Sequence, residues 1–205
     1  MPNWCENTLT VTGPKEHLDK FKELSIKDDV FTLSGVYPTP EELLNIVSPN
    51  YYRGEDEQEK IEHDKKVQML INKYGHEDWY NWRIANWGTK WDASDMQGIS
   101  INEDEQLSLW FASAWSPPLG WVKVASERFT CLNFVITYME EGFGFCGRFS
   151  IIDGVENIED VEIEYQDDDG NTVIREGDNW INAETKAVVA YEEDFWPRAV
   201  NPLED

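Results

Sequence analysis

The order in which apolar periodicity changes along the chain constrains the fold most. Residues 7–12, Asn-Thr-Leu-Thr-Val-Thr, alternate apolar and polar side chains, the period-two pattern of a half-buried strand. Gly13-Pro14 ends it, and Pro14 suits the first position of a helix because its missing N–H costs nothing there. Leu18, Phe21 and Leu24 then recur at three-residue spacing, the single apolar stripe of a helix. The same succession returns later. Residues 97–101 and 107–111 alternate, and Asn102-Glu103-Asp104-Glu105 between them reads as the turn of a hairpin. Ser116-Pro117-Pro118 opens a helix through Trp121, Val124 and Ala125, and residues 131–138 form the next strand. A further arm over 143–152 follows the turn Glu140-Glu141-Gly142. Strand, helix, strand, strand, helix, strand is the split βαβ, ferredoxin-like arrangement, an α+β fold with an antiparallel sheet.

Two stretches lie outside that order. Residues 37–93 predict a helical insertion. Residues 30–33 before it look extended, Thr39 and Glu42 have capping-box spacing around Pro40, and Ile61, Val67, Leu70, Ile71 and Tyr74 form a stripe that Gly75 stops. Beyond residue 152 the composition changes. Residues 153–205 hold seventeen acidic side chains against Arg175, Lys186 and Arg198, a net −14 out of −24 for all 205 residues. Val161, Ile163 and Tyr165 alternate with Asp160, Glu162 and Glu164, and Asp167-Asp168-Asp169-Gly170-Asn171 is a turn before the next apolar run. The expected domains are therefore 1–152, ferredoxin-like with the insertion, and 153–205, a C-terminal acidic β-hairpin extension whose last residues, from Asn201, fray.

The charge excludes function classes. Seventeen Lys+Arg against 41 Asp+Glu leave no cationic patch of the kind that displaces counterions from a phosphate backbone, so direct nucleic-acid binding is not expected, nor is binding to an anionic membrane. No apolar run nears the ~18 residues of a membrane span, and the first residues lack a basic region followed by an apolar stretch, which predicts a cytoplasmic protein. Cys5, Cys131 and Cys146 are odd in number and far apart, which suits free thiols in a reducing compartment rather than a disulfide framework, a zinc site or an iron–sulfur cluster. His17, His63 and His76 are scattered, and no phosphate-loop, dinucleotide-loop, serine-elbow or zinc-helix motif occurs. The sequence thus predicts no catalytic residues, no metal and no cofactor.

The densest local feature spans residues 78–92. Trp79, Trp82, Arg83, Trp87, Lys90 and Trp91 fall within it, and Trp115 follows beyond the hairpin. Such a set fits a ligand pocket that stacks a ring and grips one anion, or a small aromatic core in which Arg83 pairs with Asp78 or Asp92. These residues also carry a family resemblance. Asn3-Trp4-Cys5-Glu6-Asn7, Asp78-Trp79-Tyr80 with Arg83, Asn86-Trp87-Gly88-Thr89-Lys90-Trp91-Asp92 and Ala114-Trp115-Ser116-Pro117-Pro118 together resemble the YubB/Api-like family of phage, prophage and plasmid proteins with a ferredoxin-like domain. The resemblance covers residues 2–150 and implies that fold and a mobile-element origin; it implies no activity. The acidic end lies outside its motifs.

Two readings of function follow. In the first, the chain is a non-enzymatic accessory protein of a mobile element that binds a basic host protein through Glu156, Glu159, Asp160, Glu162, Glu164, Asp167, Asp168 and Asp169. It would act as a nucleic-acid mimic or an inhibitor of host defence, because carboxylates two residues apart on a strand repeat at about 6.6–6.8 Å and can imitate phosphate charge. In the second, the tryptophan cluster binds a small ligand or nucleotide derivative. Oligomeric state is not legible.

Overall fold

The computed structural model describes residues 3–94, 97–102, 106–176, 179–191 and 197–203. Strand β1 (Trp4–Thr12) is the centre of a six-stranded sheet. It leads into helix α1 (Lys15–Ser25), a short β-ribbon of β2 (Ile26–Lys27) and β3 (Val30–Phe31), and four helices: α2 (Leu33–Val36), α3 (Glu41–Leu44), α4 (Glu57–Tyr74) and α5 (Trp79–Trp87). The sheet resumes with β4 (Gln97–Asn102) and β5 (Gln106–Ala114), crosses through α6 (Leu119–Arg128), and continues with β6 (Asn133–Glu140), β7 (Phe145–Ile152) and β8 (Val155–Val161). Strand order is β4-β5-β1-β6-β7-β8, every neighbour antiparallel.

The register explains where the core lies. Leu9 sits opposite Leu109 and Ile136, and Val11 opposite Leu107 and Phe134, so the odd positions of β1 and their partners share one face. All six of these side chains have no exposed surface. The two crossover helices cover that face: Phe21 of α1 packs edge-on against Phe134 at 5.6 Å and against Trp121 of α6 at 6.3 Å. The opposite face carries Thr8, Thr10, Ser108 and the exposed Trp110.

Four local readings are corrected. Leu33 is not extended: the Thr32 hydroxyl accepts from Gly35 N–H and starts α2 there, before the expected insertion. The strand expected through residues 160–165 is divided. Its first part belongs to β8, which pairs along β7, and its second to β9 (Glu164–Gln166), in a separate five-stranded sheet with β10 (Thr172–Glu176), β11 (Asn179–Asn182), β12 (Val188–Tyr191) and β13 (Arg198–Val200) in the order β12-β11-β10-β9-β13. The chain end is anchored at Asn201, which is buried and donates from Nδ2 to the carbonyls of Tyr138 and Gly147, both at 3.1 Å; residues 204–205 lie outside the described set. The predicted turn at Glu103–Glu105 also lies outside it. Finally, Arg83 makes no ion pair with Asp78 or Asp92 among the described residues, because both carboxylates serve helix starts. Asp78 caps α5 through Asn81 N–H at 2.8 Å, and Asp92 accepts from Leu33 N–H at 2.5 Å and from the Ser34 amide and hydroxyl.

Candidate functional site

The tryptophan-rich segment folds as α5 and the loop after it because Gly88 ends the helix in the left-handed region at φ 91°, its N–H bonding the carbonyls of Arg83 and Ile84. That stop divides the cluster in two. Trp82 and Trp87 are buried, and Trp87 Nε1 donates to the Tyr37 carbonyl at 2.9 Å. Arg83 lies with its guanidinium over Trp87 at 4.6 Å and Trp79 at 5.3 Å, and its Nε donates to Thr39 Oγ1 at 2.9 Å. Burial lowers the Arg83 pKa, while the charge of Asp92 acts the other way. This half is scaffold that pins the helical stretch to Tyr37 and Thr39.

The second half is at the surface. Trp91 and Trp115 are exposed, and Lys90 lies between them with Nζ 4.1 Å from one ring centroid and 3.5 Å from the other. Trp4, which the sequence reading does not place among site residues, joins them at 6.0 Å from Trp91. Its motif neighbours could have flagged it; the register, with Trp4 opposite Ala114, brings it beside Trp115.

The acidic residues are also divided. Glu156 pairs with Lys123 of α6 at 2.7 Å, and Asp160 accepts the Tyr138 hydroxyl at 2.7 Å. Glu159, on the other face of β8, accepts from Asn157 Nδ2. Asp167 closes its own turn, accepting from the side-chain amide and then the backbone N–H of Asn171 and from the Asp169 N–H, which hold its carboxyl below the usual range. Asp168 and Asp169 are exposed at that turn. Asp160, Glu162 and Glu164 therefore form no single ladder. Glu162 and Glu164 instead line a cavity of about 690 Å³ where the two sheets meet, together with Glu141, Tyr165 and Trp180. Sequence reasoning missed Glu141, assigned to a turn; burial and then the Glu141 charge push the Tyr165 hydroxyl up. Tyr165 and Trp180 pack at 5.2 Å. Arg175 also lines the cavity and has an interaction of its own.

The thiols are set by burial. Burial, then the Glu140 charge, pushes Cys5 far up, and burial with Asp160 raises Cys146, so both are held as thiols rather than nucleophilic thiolates. Among the described residues no group of three His, Cys, Asp or Glu side chains is placed to hold a metal ion, and no helix is long and apolar enough to cross a membrane.

The sheet order β4-β5-β1-β6 with α1 and α6 on one face defines an α+β protein with a ferredoxin-like domain. Residues 86–179 match the family model described as the ferredoxin-like domain in Api92-like protein. The matched stretch runs through the acidic strand β8 to Asn179, further than the motifs of residues 2–150 reach. The crystal structure of a protein api92 from Yersinia pseudotuberculosis is similar in fold, with a TM-score of 0.50 and 12% identity over 79% of this chain and 98% of that one. No curated protein matches.

Proposed function

We propose that the chain is a non-enzymatic accessory protein of a mobile element that binds a basic host protein through Glu141, Glu162 and Glu164. One observation supports this most: Glu141, Glu162 and Glu164 outnumber Arg175 on the lining of one cavity whose walls include Tyr165 and Trp180. Carboxylates around apolar walls suit a basic side chain that buries its stem and leaves its charge at the acids. The net −24 would speed encounter with such a partner. The same geometry favours a pocket-centred contact over a phosphate-like ladder, so an inhibitor of host defence is the form of the reading carried forward.

The test is capture from host lysate on the immobilised chain, run beside a Glu141→Gln, Glu162→Gln, Glu164→Gln variant. A basic protein retained at low salt, released as salt rises and absent from the variant is the expected result. Equal retention by both chains, or none by either, would remove the proposal.

A further inference from the structure

The exposed half of the tryptophan cluster is a built site. Lys90 and Trp91 stand between two fixed residues: Thr89 is buried and donates its hydroxyl to the Ala114 carbonyl at 2.9 Å, and Asp92 is tied to the start of α2. Trp115 is held just as closely. Its N–H donates to the Asn3 carbonyl at 3.0 Å, and the neighbouring Ser116 hydroxyl donates to the Gly88 carbonyl. Trp115 adopts φ 71°, a left-handed conformation that costs a bulky side chain energy, and the surrounding bonds hold it there with its ring over Lys90. Rigid loops thus present two indole faces to one point, and that point holds an ammonium group. Lys90 has no carboxylate partner among the described residues, and the two neutral indole faces are the groups that its ammonium meets.

We propose that Trp91 and Trp115, flanked by Trp4, form an aromatic cage for a trimethylated ammonium group, and that Lys90 is its internal occupant. The ring faces attract a cation through their quadrupole. A primary ammonium is strongly hydrated and gives up water reluctantly, whereas a trimethylammonium is larger, more weakly hydrated and fills the space between two rings better. The external group therefore displaces Lys90, which swings into water on its flexible stem. The acidic net charge raises the local concentration of any cation. The cage shares no residue with the acidic cavity, so this inference and the proposed function stand or fall separately.

The experiment titrates trimethyllysine and choline into the full chain, with sodium chloride at equal ionic strength as control, and reads tryptophan fluorescence. Wild-type chain should show a saturable change with the trimethylated probes and none with sodium. Lys90→Ala empties the cage and should bind at least about fivefold more tightly; Trp91→Ala, at an exposed position, should lose the response. A preference for trimethyllysine over choline would assign the group to a modified side chain, and the reverse to a headgroup. Identical responses to sodium and to the trimethylated probes, or a Lys90→Ala affinity no tighter than wild type, would overturn the cage.

Discussion

Cys5 shows how a single buried group couples this fold to pH. It lies on β1 with no exposed surface, and burial raises its pKa far above the ordinary thiol value; burial also raises Cys146, and burial with Asp160 raises Tyr138. The unfolded chain releases these protons from about 8.5 for a thiol and about 10 for a phenol. Above about pH 8.5 the folded state therefore binds more protons than the unfolded one, and stability falls as pH rises. More than about one unit below that value the contribution is complete. Urea midpoints measured under reducing conditions should drop between about pH 7.5 and about pH 10. Cys5→Ala should make that decline shallower, whatever it does to stability at neutral pH. A variant slope equal to wild type would show that Cys5 is not one of the coupled groups.

At the scale of elements, α5 and α6 approach backbone to backbone. A Cβ at Gly120 of α6 would lie 2.6 Å from the Asn86 carbonyl oxygen of α5, and that backbone oxygen has no rotamer by which to withdraw. Alanine is favoured over glycine in a helix by about 1 kcal/mol. Overpacking costs about 1–3 kcal/mol. The second effect should win, so Gly120→Ala is expected to lose up to about 2 kcal/mol of stability by urea titration. A more stable variant would show that the two helices can part freely. The same contact marks the limit of what the sequence tells. Period-two runs at 7–12, 107–111 and 131–138 and the stripe of Leu18 and Phe21 were legible because each has one buried face. β8 was not: most of its side chains are exposed on both faces, so its alternation names no core and its pairing with β7 is set from outside. Helical spacing put Arg83 near Trp79 correctly, but it could not pair Lys90 with Trp115 across 25 positions, nor bring Asn201 back to β6 and β7.

Across the whole molecule, like charges outnumber the pairs that could offset them. There are 41 acidic and 17 basic side chains, and the described ion pairs of Lys73 with Glu42 and Lys123 with Glu156 are half-exposed, where each contributes little. The acidic excess is therefore largely without offset, and its self-repulsion opposes the compact state. Salt acts on both kinds of interaction, weakening attraction and repulsion alike as the Debye length falls from about 10 Å at 0.1 M to about 3 Å at 1 M. With so large an imbalance, the repulsion removed exceeds the attraction lost. The thermal midpoint should rise as sodium chloride goes from about 0.02 M to about 0.5 M. The rise should be smaller in the Glu141→Gln, Glu162→Gln, Glu164→Gln variant, because it removes three of the 41 acidic side chains from one part of the surface. A midpoint that falls with salt would mean that paired charges, not the acidic excess, dominate the folded state. A rise of equal size in both chains would place the repulsion elsewhere on the surface than at the cavity.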